Sequence, residues 1–428
     1  MRYRKSFLLP AILILLALLA PDARAYSVLS HEAVIDSAWQ PSIKPLLLAR
    51  FPSSTPDQLR EAKGYAYGGA IIQDLGYYPH DSHLFSDLLH YVRSGDFVLA
   101  LLRDSSTLDE YAFALGALAH YVADINGHSI AVNRAVPLLY PGLKKKYGDI
   151  VTYEENPSAH LKTEFGFDVL EVAKGRYASD AYHDFIGFSV AEPLLERAFQ
   201  ETYSISMQSL FPNLDRSINS YRYDVRAILP TATRVAWVLK KDDIQKSTPG
   251  ATKRQFLYNL PRERYEKEWG KNYRPPSFDD KLLAFFIRIT PKIGPLRTLS
   301  FVTPTAQTET LFMASFNATI AAYKTFADQI QSGRLALPNT NLDTGHVDPP
   351  GAYFMADNAY ARLVGMLAET QFQSVSPELR ADILAYYSDP NAPIATRKNA
   401  RDWAHLTREL EQLKSAAANG STAQASAP

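Results

Sequence analysis

Cysteine is absent from all 428 residues of this chain. The protein therefore contains no disulfide, and no cysteine can carry a lipid anchor. A zinc ion bound by this protein must also do without thiolate ligands, because only histidine, aspartate, glutamate and backbone groups can supply its coordination.

An excess of charge of either sign is absent as well. The 45 lysines and arginines balance 45 aspartates and glutamates, so the formal net charge is +0. A protein whose main role is to bind a phosphate backbone needs a basic surface. We therefore expect no stable complex with nucleic acid.

Long apolar runs are absent after the amino terminus, where one extends from Phe7 to Ala20 between basic MRYRK and the small-residue segment PDARA. This pattern predicts a secretory signal peptide over 1–25 with cleavage after Ala25, and hence a periplasmic or extracellular protein. The α-amino group of Tyr26 would then lie close in sequence to His31. The alternative is an uncleaved membrane anchor, because the run is near the length that spans a bilayer.

Strand-like alternation is scarce, and helical periodicity covers most of the chain, so we predict an all-α protein. The expected organisation is a catalytic core at 26–240, a polar linker or excursion at 241–280, and a helical extension of unassigned role at 281–413. A disordered tail rich in alanine, serine and glycine is expected at 414–428. A chain of this length exceeds the usual size of a single core, which indicates one large domain or two associated ones.

Three local patterns make specific structural predictions. The segment from Leu108 to Ile125 predicts a buried helix whose small residues permit close packing. Ser30 is placed to cap the helix that follows it. The periodicity from Ala191 to Phe211 predicts one continuous helix.

The most informative motif is HYVADINGHS, in which His120, Asp124 and His128 follow one another at four-residue steps. On a helix this spacing stacks side chains on one face. Residues eight apart lie about 12 Å apart along the axis, at ~1.5 Å per residue, so one zinc ion is not expected to join both histidines. The array predicts at least two ions, with the Asp124 carboxylate at or between them. Downstream, His160 and Glu164 in HLKTE repeat the four-residue step.

Further ligand candidates precede this array. Asp74 follows the apolar run GGAII, so its carboxylate is expected at a buried helix end, where a metal ion would compensate its charge. His90 lies in the apolar frame LLHY, whereas His80 and His83 lie in a polar loop. His31 completes the set.

Each motif alone has an ordinary structural explanation, because core histidines, a hydrogen-bonded aspartate and a solvated His–Glu pair are common. All of them together contain more nitrogen and carboxylate ligands than one ion can use. The residues therefore predict a cluster of two or three zinc ions, formed largely by the amino-terminal half of the chain.

In this order the residues resemble the signature of the zinc-dependent phospholipase C family, which shares its all-helical fold with fungal single-strand-specific nucleases. The resemblance extends from Tyr26 to about Lys174. The matching positions are Tyr26, His31, Asp74, His90, His120, Asp124, His128, His160 and Glu164.

The resemblance implies three zinc ions per chain. The first would be bound by the α-amino nitrogen and carbonyl oxygen of Tyr26, by His31 and by Asp124; the second by Asp74, His90, His120 and Asp124; and the third by His128, His160 and Glu164. Typical members begin with tryptophan and have five residues between the Asp and the next His, whereas the predicted mature chain begins with tyrosine and has three. His83 is therefore an alternative to His128 or His90. The resemblance also makes Asp74 the candidate catalytic base.

The implied activity is that of a secreted phosphodiesterase that cleaves phospholipids between glycerol and phosphate. Its partners would be a phospholipid or another phosphodiester substrate, together with a peripheral contact to a membrane. Two alternatives stay open: a single-strand nuclease or 3′-nucleotidase on the same fold, and a non-catalytic binding protein stabilised by zinc.

Overall fold

The computed structural model describes residues 27–78, 82–174, 188–223 and 301–424, together with positions 225, 242, 243, 245 and 246. The predicted signal peptide and nearly all of the predicted linker lie outside these described residues. Tyr26 and His80 lie outside them too.

The described residues confirm the all-α prediction. Their helices, numbered in chain order, are α1 (Val28–Ala38), α2 (Lys44–Arg50), α3 (Pro56–Ile71), α4 (His83–Tyr91), α5 (Ser94–Asp104), α6 (Leu108–Asn126), α7 (Asn133–Leu139), α8 (Pro141–Tyr147), α9 (Pro157–Lys174), α10 (Glu192–Tyr203), α11 (Met207–Leu210), α12 (Leu214–Tyr223), α13 (Ala306–Gln331), α14 (Phe354–Glu369), α15 (Pro377–Tyr386) and α16 (Ala400–Gln424). Short π-helical turns cover Trp39–Ile43 and Gly127–Val132, and 3₁₀ turns cover Ile72–Tyr77 and Ala395–Lys398. Over the same ranges β structure is limited to one antiparallel bridge between Asn341 and His346.

Helix α6 forms the centre of the fold, as its small-residue pattern predicts. Its amino terminus is fixed by a capping box in which the Thr107 side chain accepts from the Glu110 amide and the Glu110 side chain accepts from the Thr107 amide. Every residue from Tyr111 to Asp124 is buried. A helix buried on all sides can carry polar side chains only where they find partners or ligands.

Glycines allow α3 and α6 to cross in direct backbone contact. A Cβ atom at Gly116 would lie 2.1 Å from the carbonyl oxygen of Ala66, and one at Gly69 would lie 1.9 Å from that of Phe113. No other residue fits at such distances. The close crossing brings the carbonyl oxygen of Ala70 within 2.9 Å of His120 Nδ1.

Helices from the predicted carboxy-terminal extension pack onto this centre. The Tyr323 hydroxyl of α13 donates to the carbonyl oxygen of Leu115 in α6 at 3.0 Å. Phe312 of α13 stacks on Phe167 of α9, with ring centroids 4.8 Å apart. One apolar core contains buried residues from both parts of the chain. None of the described helices is long and apolar enough to span a membrane.

Three local predictions differ from the structure. The segment predicted as one helix over Ala191–Phe211 is broken, because α10 ends where Ser204 adopts a left-handed φ of 56°. Ser30 is not a cap: α1 already begins at Val28, and the Ser30 hydroxyl donates instead to Asp168 Oδ1 at 2.6 Å.

The third difference concerns the tail. The segment predicted to be disordered from 414 onwards is helical as far as Gln424, as the final part of α16. Its sequence is rich in alanine, the residue with the highest helix propensity, and it continues a helix that is already formed.

Candidate metal centre

The Asp124 carboxylate is the centre of a buried cluster of histidines. Its Oδ1 atom lies 3.3 Å from His31 Nε2 and 3.9 Å from His128 Nε2. Its Oδ2 atom lies 3.1 Å from His120 Nε2 and 3.3 Å from His90 Nε2. Asp124 thus faces one pair of histidines with each oxygen, which is the arrangement that a bridging carboxylate needs.

Four ligand atoms converge on the Oδ2 side of Asp124. His90 Nε2 lies 3.4 Å from Asp74 Oδ1, and the same nitrogen lies 3.4 Å from His120 Nε2. Two ligands of a tetrahedral zinc ion with bonds of 2.0–2.1 Å are about 3.3 Å apart. The set formed by Asp74, His90, His120 and Asp124 therefore has the spacing of one tetrahedral zinc site.

Backbone carbonyl groups set the orientation of two of these histidines. His120 Nδ1 lies 2.9 Å from the carbonyl oxygen of Ala70, and His90 Nδ1 lies 2.8 Å from that of Ser86. A carbonyl oxygen only accepts, so each Nδ1 carries the proton and donates it. In the neutral ring that would bind zinc, each Nε2 then presents a lone pair to the cluster, which is the tautomer that a metal ligand requires.

His31 and Asp124 form the predicted first site in part. His31 is fully buried and stacks on His120, with ring centroids 4.3 Å apart. The third predicted ligand, the amino terminus of Tyr26, lies outside the described residues.

The predicted third site differs in part from the observed arrangement. His160 Nδ1 lies 2.8 Å from Glu164 Oε1, which in turn lies 3.8 Å from His128 Nε2. However, the trio whose ligand atoms all fall within 4.8 Å of one another is His128, His160 and Asp343, not His128, His160 and Glu164. Asp343 is a candidate site residue that the sequence did not predict.

The signal that points to Asp343 in the sequence is weak. It belongs to the loop LPNTNLDTGHVDPPG, in which a histidine is the more obvious ligand candidate. In the structure His346 is exposed, whereas Asp343 is 1% exposed. Only the tertiary fold brings this loop to His128.

The cluster contains buried polar atoms that have no hydrogen-bond partner among the described residues. These atoms are Asp74 Oδ1, both carboxylate oxygens of Asp124, His128 Nε2, His160 Nδ1 and Glu164 Oε1. Buried polar groups are normally paired, and leaving several carboxylate oxygens unpaired in one place is costly. All six are nitrogen or oxygen atoms of the kinds that zinc binds, so the residues present fit zinc ions.

The pKa values of the cluster reflect mutual compensation in the absence of metal. Burial lowers the pKa of His90, but the adjacent Asp124 and Asp74 carboxylates outweigh it and raise that pKa to about 10. Burial also lowers the pKa of His160, but the charge of Glu164 and the contacts with Asp343 outweigh burial and raise that pKa to about 9. Burial would raise the pKa of Asp124, yet the surrounding histidines hold it well below its usual range. Protons thus occupy the metal-free cluster, and zinc has to displace them.

His83 lies away from the cluster. It is exposed at the start of α4, where it lines an open groove together with residues of α14 and α16 such as Arg362 and His405. Its ring centroid is 6.1 Å from that of Tyr77, whose ring is 5.4 Å from that of His90. The structure therefore brings His90 and His128, rather than His83, to the buried centre.

Comparison with known protein families identifies this arrangement. The model of the zinc dependent phospholipase C family matches residues 30–213, a segment that contains every predicted ligand except Tyr26. The match covers fewer than half of the 428 residues, and it supports a relationship of this segment to the zinc-dependent phospholipase C family. Comparisons with curated proteins and with solved structures gave no match. Asp343 lies outside the segment that the family model matches.

Proposed function

We propose that this protein is an exported zinc-dependent phosphodiesterase that hydrolyses the glycerol–phosphate bond of phospholipids, releasing diacylglycerol and a phosphorylated head group. The family-model match over residues 30–213 supports a phospholipase C-type function in general terms. The observation that carries the proposal is the convergence of His31, His90, His120 and His128 on the two oxygens of Asp124, at 3.1–3.9 Å.

The substrate class follows from the chemistry of such a centre. When bound, zinc ions polarise phosphoryl oxygens and lower the pKa of water toward neutrality. A phosphodiester is anionic and resists attack, so it gains most from a cluster of cations that stabilises both the attacking and the leaving oxygen. The ligand set would be that of the resemblance: Tyr26, His31, Asp74, His90, His120, Asp124, His128, His160 and Glu164.

Asp74 is the residue that we assign to proton transfer. It is 2% exposed in the 3₁₀ turn that follows α3, and its Oδ1 has no hydrogen-bond partner among the described residues. Its position 3.4 Å from His90 Nε2 places it beside the cluster, where it can orient a water molecule and accept its proton. General base catalysis of this kind contributes about 10²–10⁴-fold to the rate.

Export belongs to the same proposal, because the first site needs the amino group that signal cleavage would create. His31 lies in the first turns of α1, and its Nε2 is 3.3 Å from Asp124 Oδ1. Mass spectrometry of protein recovered from the periplasm or medium is expected to find Tyr26 as the first residue. A mature protein that still carries the segment 1–25 would refute this part of the proposal.

The activity is tested with the purified mature protein and its zinc. We expect diacylglycerol from phosphatidylcholine vesicles, loss of this release on chelation, and no cleavage of single-stranded DNA. Asp74→Asn is expected to lower turnover by about 10²-fold or more. The control is Asp357→Asn, since Asp357 is equally buried but lies in α14 and accepts from the Gly351 and Ala395 amides.

Two results would replace this proposal with an alternative. Cleavage of DNA without release of diacylglycerol would make the protein a nuclease on the same scaffold. Bound zinc without either activity would make it a zinc-stabilised binding protein.

A further inference from the structure

Asp343 reaches the metal centre from a carboxy-terminal loop that is fixed to the catalytic helices. The Leu342 amide donates to the carbonyl oxygen of His90 at 3.0 Å, and the Ser94 hydroxyl donates to that of Thr340 at 2.6 Å. The Tyr121 hydroxyl of α6 also lies 3.2 Å from Thr340 Oγ1. These three hydrogen bonds therefore determine the position of the loop that carries Asp343 relative to the predicted metal ligands.

Every oxygen of the Asp343 carboxylate has a donor. Oδ1 lies 2.8 Å from His128 Nδ1. Oδ2 accepts from the Tyr353 hydroxyl at 2.6 Å and from the Tyr153 amide at 3.0 Å. The two donors at Oδ2 prevent the carboxylate from rotating, so Oδ1 stays directed at His128.

This contact selects the tautomer of His128. A carboxylate oxygen accepts, so the Nδ1 atom of His128 carries the proton and donates it. The Nε2 atom then presents its lone pair, and it lies 3.8 Å from Glu164 Oε1 and 3.9 Å from Asp124 Oδ1 without a hydrogen-bond partner among the described residues. A metal ligand with a carboxylate behind its other ring nitrogen is a recurring arrangement in zinc proteins.

His160 is oriented through the same loop by Asn133. The Asn133 side-chain amide donates to the carbonyl oxygen of Asp343 at 2.8 Å, which fixes its Oδ1 toward His160 Nε2 at 2.7 Å. An amide oxygen only accepts, so His160 carries its proton on Nε2. Its Nδ1, 2.8 Å from Glu164 Oε1, is then the nitrogen that would be left for a zinc ion.

We propose that Asp343 is a positioning residue of the third metal site, which orients His128 directly and His160 through Asn133. The inference rests on the zinc binding of the proposed function, but not on its substrate. It extends the metal centre beyond residues 30–213 and gives the carboxy-terminal region a role at the site.

Asp343 is not in the geometry of a direct ligand. Its Oδ2 is used by two donors, and its Oδ1 is used by His128. Binding an ion between Asp343, His128 and His160 would break the hydrogen bonds at His128 Nδ1 and at His160 Nε2. The opposite nitrogens of both rings are the ones without a hydrogen-bond partner among the described residues.

The first test is Asp343→Asn. The Tyr153 amide at the Oδ2 position can only donate, so the asparagine has to place its oxygen there and its NH₂ group toward His128 Nδ1. His128 would then carry its proton on Nε2, which blocks the ligand position. We expect the affinity of one zinc ion to fall by about 10–100-fold, while the affinities of the other ions stay unchanged. Competition with a calibrated chelator measures this difference.

Histidine tautomers provide a second readout, which a purely structural role would not change. In zinc-loaded, selectively ¹⁵N-histidine-labelled protein, long-range ¹H–¹⁵N NMR is expected to show the Nδ1–H form of His128 in the wild type and the Nε2–H form in Asp343→Asn. The wild-type spectrum alone tests the assignment if the variant does not fold. A wild-type His128 that is protonated on Nε2 would overturn the proposal.

Two control variants separate positioning from general damage. Tyr353→Phe removes one of the two Oδ2 donors but keeps the carboxylate and the Tyr153 amide, so zinc affinity is expected to fall less than in Asp343→Asn. Asp357→Asn removes an equally buried carboxylate of the same region and is expected to leave all zinc affinities unchanged. An Asp343→Asn variant with wild-type affinities would refute the role of Asp343. If a large excess of zinc cannot restore the third ion in Asp343→Asn, Asp343 would be a direct ligand, and that result would also refute its role as a positioning residue.

The proposed activity is judged separately. Wild-type protein that binds zinc but releases no diacylglycerol would refute the phospholipase activity and leave the prediction for Asp343→Asn intact. Wild-type protein that binds no zinc would refute both.

Discussion

Replacing the bridging carboxylate is the most direct perturbation of the proposed metal centre. Asp124→Asn keeps the shape of the side chain but removes its charge and replaces one oxygen by an NH₂ group. In the structure both oxygens face histidine nitrogens, with His120 at 3.1 Å and His31 and His90 at 3.3 Å. The NH₂ group would point its hydrogens at one of these pairs and at the ion between them. We therefore expect two of the three ions to bind more weakly.

The magnitude follows from the distances. Two unit charges about 4 Å apart at an effective dielectric constant near 20 interact by about 4 kcal/mol. An ion between Asp124 and the histidines that face it would lie closer than this, and it carries two charges. The loss per ion is therefore at least about 4 kcal/mol, which is a factor of about 10³ in the dissociation constant.

Zinc content after dialysis against a buffered, submicromolar zinc concentration measures the effect, and chelator competition gives the affinities. Wild-type protein is expected to retain about three zinc ions, and Asp124→Asn about one. Asp357→Asn serves as the matched control, because Asp357 is likewise buried, at 1% exposure, but is hydrogen-bonded and lies outside the cluster. Wild-type zinc content and affinity in Asp124→Asn would refute the bridging geometry.

Three further outcomes test the physical account of the site. Gly116→Ala is expected to lower the free energy of unfolding by about 1–3 kcal/mol, because its Cβ would lie 2.1 Å from the Ala66 carbonyl oxygen. Urea denaturation measures this change. The control is Gly142→Ala, whose Cβ would meet no atom within 4 Å and which should not be destabilised. Zinc affinity is expected to fall as the pH decreases below about 9, because metal-free His160 and His90 have pKa values of about 9 and about 10 and zinc must displace their protons. Calorimetry in buffers with different heats of ionisation detects this proton release. Equal binding heats in all buffers would contradict the prediction. Thr107→Ala removes the side-chain cap of α6 and is expected to lower the free energy of unfolding by about 1 kcal/mol without changing zinc content. A loss of zinc from this folded variant would contradict the expectation and show that the cap also affects the metal centre.

The parts of the site that could be predicted from sequence are those fixed by local geometry. Four-residue steps on one helix place His120 and Asp124 on a common face, and their Nε2 and Oδ2 atoms lie 3.1 Å apart. The apolar frame of α6 and its small residues likewise predict a buried helix, because helical period and burial depend on neighbouring residues. Asp74 at the end of an apolar run follows the same logic.

The parts that could not be predicted depend on contacts between distant segments. Asp343 is separated from His128 by 215 positions, and its loop has no periodicity that indicates what it contacts. Ser30 illustrates the same limit on a smaller scale: a local capping rule predicts a helix start, but a hydrogen bond to Asp168, 138 positions away, determines its role. Local propensity cannot anticipate such long-range partners.

Ligand spacing and ligand orientation have different physical origins in this protein. The sequence motifs determine which side chains face one another, but a histidine binds zinc only when its other ring nitrogen has an acceptor. For His120 that acceptor is the Ala70 carbonyl, which comes within 2.9 Å because glycines let α3 and α6 touch. For His128 it is Asp343, which comes from outside the segment that the family model matches. The proposed metal centre therefore depends on contacts between distant segments of the described chain, since the loop between α13 and α14 places Asp343 beside His128.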